Sequence, residues 1–240
     1  MGWKTSKALE GQSTVEGVSP AEGLCVLHLF CRVTPQVDTE AVIEAAKSFE
    51  GGGGQVVMAA MLGHKADVGV MALAPKMWML RELQTAAGQA GLDPLYSYVS
   101  LTEVSEYADG MPEEVRNIRL YPQLPPEGMN VFCFYPMSKR RQPGRNWYVL
   151  PFDERRSLML GHGRVGREYS GRVLQLVTGS TGLDDYEWGV TLFGRGPDDI
   201  KACVYDMRFD PASAHYADFG PFYTGMVASP KDVLASCTSS

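Results

Sequence analysis

The sequence runs through one order of elements twice, and that order leaves few folds open. In the first half, residues 24–33 form an apolar, β-rich run. Residues 39–50 follow with helical spacing (Val42, Ile43, Ala46, Phe49) behind Thr34, Pro35 and Asp38. The glycine run 51–54 stops that helix, and residues 55–62 and 67–73 read as two strands around a Gly-His-Lys turn. Pro75 opens a second helix with Met77, Leu80, Leu83 and Ala87 on one face, and residues 95–101 close the half as a strand. The second half repeats the order: a strand at 129–135, a helix from Asp153 to about Tyr169, and strands at 173–178 and 186–193. A helix at 197–207 with acidic residues in its first turn and a last strand at 222–227 complete it. Two copies of β-α-β-β-α-β, about 100 residues each, predict an α+β protein of tandem ferredoxin-like repeats.

A ferredoxin-like sheet carries helices on one face, so its other face must be buried elsewhere. Two such sheets in one chain can cover each other, which predicts a closed, dimeric α+β barrel with an apolar interior. The expected organisation is a flexible leader at 1–23, a first half with its linker at 24–127, and a second half at 128–240. The linker, 102–127, is rich in Pro, Glu and Tyr and is expected to cross the surface.

A formal net charge of -6 argues against a general nucleic-acid or anionic-membrane binder. No apolar run reaches the roughly 20 residues that span a bilayer, and residues 1–23 lack the apolar centre of a signal peptide. The five cysteines (Cys25, Cys31, Cys133, Cys203, Cys237) include no CxxC pair, which removes a zinc ribbon and suggests a reducing, cytoplasmic setting.

Four histidines are present, His28, His64, His162 and His215, with no HxxxH or HExxH pair. His162 sits in Leu160-Gly161-His162-Gly163-Arg164, where the glycines leave room for a flat group beside the imidazole. On spacing alone, a helix-end histidine capped by carbonyls is the preferred reading, since lone histidines are rarely ligands. The segment Tyr135-Pro136-Met137-Ser138-Lys139-Arg140-Arg141 reads as a tyrosine at a strand end followed by a cationic loop, with Trp147 and Tyr148 nearby. It suits an anion. The glycines 51–54 follow a helix instead of opening one, so they cradle no phosphate. Asp184, Asp185 and Glu187 fall at a turn and strand start and read as solvated.

Four stretches carry a family resemblance: FYPMSKRR (134–141), NWYVLPFDERR (146–156), GHGRVGREYSGRVLQLVTGSTGLDDYEWGVTLF (161–193) and YDMRFDPASAHYADFGPFYTG (205–225). From Phe132 to Gly225 the chain resembles the coproheme decarboxylases, the haem-synthesis branch of the chlorite dismutase-like superfamily. The first half is similar more loosely, through YSYVSLTEVSEYADG (96–110) and HKADVGVMALAP (64–75). The resemblance implies His162 as the axial iron ligand and Gln175 at the distal position, where chlorite-degrading relatives carry arginine. It implies Tyr135 and Lys139 as catalytic residues, with Pro136, Met137 and Ser138 between them in the wall. Arg119, Arg208 and Ser213 fall at propionate-binding positions.

The implied substrate and redox centre is iron coproporphyrin III, the product haem b, and the oxidant hydrogen peroxide. Peroxide and iron oxidise Tyr135 to a radical, which takes hydrogen from the β-carbon of a propionate. Loss of CO₂ and an electron leaves a vinyl group, and two rounds convert propionates 2 and 4. The resemblance also implies a homopentamer and a coproporphyrin ferrochelatase upstream. A peroxidase or chlorite dismutase on the same fold, and a non-catalytic haem carrier, are the alternatives.

Overall fold

The computed structural model describes residues 18–108 and 110–238, so most of the expected leader, residues 1–17, lies outside the described residues. The first half contains β1 (Cys25–Val33), α1 (Thr39–Gly51), β2 (Gln55–Met61), β3 (Val68–Ala74), α2 (Met77–Gln89) and β4 (Leu92–Thr102). A helix α3 (Glu113–Leu120) follows. The second half contains β5 (Val131–Lys139), the small hairpin β6 (Arg141–Gln142) and β7 (Arg145–Asn146), α4 (Phe152–Arg167), β8 (Val173–Gly179), β9 (Trp188–Gly194) and α5 (Pro197–Met207). It ends with α6 (Pro211–Tyr216), β10 (Ala217–Phe219), β11 (Tyr223–Val227) and α7 (Pro230–Thr238).

The strands close a barrel in the order β5-β11-β2-β3-β1-β4-β8-β9 and back to β5, with every pairing antiparallel. Each half keeps the ferredoxin-like order, β2-β3-β1-β4 and β8-β9-β5-β11, so the expected barrel within one chain is what forms. The halves join at two seams: Gly225 opposite Met61, and Leu101 and Thr102 opposite Gly179 and Thr178. The first seam needs a glycine, because a Cβ at 225 would lie 2.5 Å from the Ala60 carbonyl oxygen. β10 continues β11 along the same edge of β5, interrupted at 220–222.

Strand alternation sends one set of side chains inward and the other under the helices. Phe30, Tyr98, Phe132, Phe134 and Phe193 fill the barrel, where His28 Nε2 lies 2.9 Å from Thr191 Oγ1 and joins the two halves. The outer face of the first half packs Leu27, Leu29 and Val70 of the sheet against Phe49 of α1 and Leu80 and Leu83 of α2, with Val233 and Leu234 of α7 completing the layer.

Three expectations change. The linker is not all irregular surface chain: residues 113–120 form α3, whose Leu120 is buried and whose carbonyl accepts from the Thr102 hydroxyl. The strand expected to end at Tyr135 runs on to Lys139, because its far end pairs with both β9 and β10. Glu187 is buried at 4% exposure instead of solvated.

Candidate functional site

The extension of β5 decides which of its residues share a face. The pleat puts Tyr135, Met137 and Lys139 on the outer, helix-covered side with Cys133. Pro136 and Ser138 alternate to the other side; the Ser138 hydroxyl accepts the Glu187 N–H at 3.2 Å. The five consecutive residues expected to line one wall are therefore split, with three side chains on it and two behind.

Tyr135 is buried, stacked on Phe222 at 4.4 Å between ring centroids and tilted against Phe219 at 5.7 Å. The Arg208 guanidinium caps the same aromatic group, 3.8 Å above the Phe219 ring. Burial, then the neighbouring thiols of Cys133 and Cys203, push the Tyr135 phenol above its ordinary range, and Arg208 offsets this in part. The phenol therefore keeps its hydrogen at any physiological pH.

Lys139 ends the strand with its ammonium 4.1 Å above the Trp147 ring, donating to the Ala212 carbonyl at 3.3 Å. Burial pushes it down to about 8, against the opposing pull of Asp210 and Glu187. Among the sites read from sequence it is the one cation that is itself buried, at 9% exposure.

Opposite this face stands α4. Its sequence carries Asp153 and Glu154 in the first turn and Arg164 and Arg167 in the last, which suits the helix dipole, yet none of its residues is buried. Its main contacts are α5 and α6 rather than a strand. His162 and Gly166, four residues apart, share one side of the helix. A Cβ at 166 would lie 3.1 Å from the Gln175 amide nitrogen of β8 and 3.2 Å from Met207 of α5, so α4 lies close to both at this glycine. A Cβ at 161 would meet Asp210 at 3.9 Å, and one at 163 its own Arg167 at 3.4 Å, so the flanking glycines have room around them.

The His162 Nδ1 lies 2.8 Å from the Asp210 carboxylate. Asp210 is buried and caps α6, accepting the Ser213 N–H at 3.1 Å with the same oxygen. One carboxylate thus ties together His162, the Ser213 turn and, through its charge, Lys139. Sequence reasoning missed Asp210; the signal was an aspartate directly before Pro211, the mark of a helix start. With Nδ1 engaged, Nε2 is the ring nitrogen left for a ligand.

Gln175 projects from β8 on the same outer face and donates toward Cys203 Sγ at 3.5 Å. A groove of about 390 Å³ adjoins the site between α5 and β5/β11, with Phe222 and Arg208 in the wall it shares with Tyr135. Arg119 is not brought in: it is exposed in the last turn of α3, and among the described residues no hydrogen bond or ion pair joins it to this cluster.

No group of three or more His, Cys, Asp or Glu able to hold a bare metal ion exists among the described residues. A single imidazole beside an unburied helix face, over an apolar sheet with one buried cation, instead fits a metal that brings its own planar ligands. His162 would hold the iron, and Lys139, Arg208 and the Ser213 turn would meet its carboxylates.

Comparisons with known proteins bear on this arrangement. A heme-binding protein of Natronomonas pharaonis is 42% identical over an alignment covering 88% of this chain and 40% of that protein, so the chain spans two fifths of its length. A solved heme-binding protein from Thermus thermophilus superposes with a TM-score of 0.80 at 36% identity, over 92% of this chain and 99% of that one. A chlorite dismutase from Candidatus Nitrospira defluvii shares the fold, with a TM-score of 0.72 at 17% identity over 91% and 96% of the two chains. The sequence model of the family described as chlorite dismutase matches residues 37–228, and over that length the chain belongs to the chlorite dismutase family.

Proposed function

We propose that the chain is a coproheme decarboxylase, converting propionates 2 and 4 of iron coproporphyrin III to the vinyl groups of haem b with hydrogen peroxide. The observation that carries this reading is the outer face of β5, which holds a buried Tyr135 and a buried Lys139, with Asp210 acting on that lysine and bonded to His162 of α4.

When bound, the iron porphyrin and peroxide supply the oxidising equivalents. The chain's residues supply position and polarity. Asp210 orients the His162 ring and leaves Nε2 facing a ligand. Tyr135, screened from water by Phe219 and Phe222, gives up its phenolic hydrogen and then takes one from the propionate β-carbon. Lys139 holds the reacting carboxylate by a charge-assisted contact, strong in a dry site. Each round releases CO₂ and a proton and passes two electrons to one peroxide, giving water. The neutral Gln175 side chain fits this chemistry rather than turnover of chlorite. The same reading has the pocket carried by residues 128–240, identical chains assembled as a ring, and a coproporphyrin ferrochelatase as supplier.

Mass spectrometry of the porphyrin during peroxide titration tests it. Wild type should lose two CO₂ in steps, through a three-propionate species. Tyr135→Phe should bind coproheme and form no vinyl product. A normal haem b yield from that variant ends the radical role; bound coproheme that never changes mass in wild type makes the chain a carrier.

A further inference from the structure

Glu187 is the buried acid that neither the sequence nor the proposed mechanism uses. It stands at the start of β9 with a side chain 6% exposed. Its carboxylate accepts the Lys139 backbone N–H at 2.7 Å through one oxygen and pairs with Arg141 through the other. Its own backbone N–H donates to the Met137 carbonyl at 3.1 Å, and its carbonyl accepts the Ser180 N–H at 2.8 Å. Both ends of this one residue therefore grip the segment 137–141. The strand bond to Lys139 alone needs only one acceptor oxygen, which an amide would supply without a desolvated charge.

The second observation is where the clamp sits. The gripped segment carries Lys139, whose side chain leaves β5 between Trp147, Ala212 and Asp210. The charged and titratable groups around that ammonium are few. Asp210 approaches from the start of α6 with His162 on its other side, and Glu187 from β9. Arg140 is turned to Asp218 of β10, and Arg141 is drawn onto Glu187 itself. Tyr148 flanks that pair, with the Arg141 guanidinium 5.3 Å from its ring centre. Both cations that follow Lys139 in sequence are thus paired with acids, which leaves Lys139 as the cation of residues 139–141 with no ion pair among the described residues.

We propose that Glu187 is a positioning residue that holds the Lys139 ammonium between Trp147 and the start of α6, where it receives a ligand carboxylate. Its charge also favours the ammonium form, opposing the burial that pushes Lys139 down to about 8. Arg141 moderates that charge, so the two side chains act on Lys139 with opposite sign. The identity of the carboxylate ligand rests on the function proposed above; the effect on Lys139 does not.

The test is the pH dependence of Lys139 acylation, followed by peptide mass spectrometry on the full chain without porphyrin, where the neutral amine is the reacting form. Glu187→Gln keeps a hydrogen-bond acceptor and removes the charge, so the midpoint should fall. A shift of about half a unit makes acylation roughly threefold faster at pH 7. Arg141→Gln frees the Glu187 charge and should move the midpoint up; a generally loosened fold would wet the ammonium and raise the midpoint in both variants, so it cannot mimic the fall in Glu187→Gln. Should Glu187→Gln fail to fold, the rise in Arg141→Gln decides when its unfolding midpoint equals that of wild type, and no rise in that variant overturns the proposal. Unchanged midpoints, or the same direction in both variants, overturn the proposal. Coproheme titration at pH 8 then separates the two claims: no binding by wild type removes the proposed function while the Lys139 midpoints still stand or fall separately.

Discussion

The two halves repeat one topology but use their first helix in opposite ways. In the first half α1 drives Val42, Ala46 and Phe49 into the sheet, and α7 closes the layer beside it. In the second half the equivalent helix, α4, buries nothing and leans on α5 and α6. The sequences explain the contrast. α1 reads Thr-Glu-Ala-Val-Ile-Glu-Ala-Ala-Lys-Ser-Phe, with its apolar residues gathered on one stripe. α4 reads Phe-Asp-Glu-Arg-Arg-Ser-Leu-Met-Leu-Gly-His-Gly-Arg-Val-Gly-Arg, with glycines where a packing stripe would place large residues. A helix that helps hold the fold and a helix held away from it have the same place in the repeat. The duplication supplies the scaffold, and the undocked helix makes room for a site.

Stability measurements break or sustain that contrast most directly. Phe49→Ala empties a site 7% exposed under α1 and should cost about 3–5 kcal/mol in denaturant unfolding. Leu160→Ala, on α4 and 51% exposed, should change stability by less than about 0.5 kcal/mol. Equal losses from the two would mean that α4 is docked like α1.

The halves also meet inside the barrel, and there the contrast should vanish. His28 of β1 is fully buried against Phe134 and Thr191 of the second half, with Nδ1 lacking a hydrogen-bond partner among the described residues. Burial pushes its imidazole down to about 3, against 6.5 in an unfolded chain. Between those values the unfolded chain binds a proton that the folded one refuses. Stability contributed by neutral His28 above pH 6.5 is thus lost as pH falls toward 3. By pH 5 the loss is about 2 kcal/mol. Unfolding from pH 7 to pH 5 should be shallower by that amount in His28→Gln, with both halves melting together. An identical pH slope would mean that another group governs acid unfolding; separate transitions would mean that the seams do not couple the halves.

How much of this was legible follows from what sets each feature. The repeat and the barrel are written in the order of apolar runs, which is local, but β1, β3 and β9 are buried on both faces, so their sequences do not tell inward residues from outward ones. The end of β5 was not legible, because residues 136–139 carry a proline, a serine and a lysine and owe their strand form to pairing with Trp188, Gly189 and residues 217–219. Glu187 read as solvated because its acid neighbours Asp184 and Asp185 stand in a turn; its partners lie 46 and 48 residues away. His162 between its glycines and the Tyr135–Lys139 segment drew attention from residue pattern alone, but their roles, and Gln175 altogether, came only through a resemblance. Asp210 was open to local reading and was passed over, since a helix cap is an ordinary role for aspartate.

The smallest effect is the sharpest test of why α4 is undocked. Gly161 is helical and a Cβ placed there meets Asp210 at 3.9 Å, an ordinary contact, so alanine fits without strain. Removing a helix-interior glycine lowers the entropy lost on folding, and Gly161→Ala should raise stability by about 0.5–1 kcal/mol. A glycine kept at such a place weakens the helix, and the proposed reason for it is access for a porphyrin beside His162. Coproheme titration of the same variant should then show weaker binding than wild type even as its unfolding midpoint rises. Rising stability with unchanged binding would take Gly161 out of the ligand's path, whereas falling stability would show that this stretch of α4 is packed after all and that the two halves are more alike than their burial suggests.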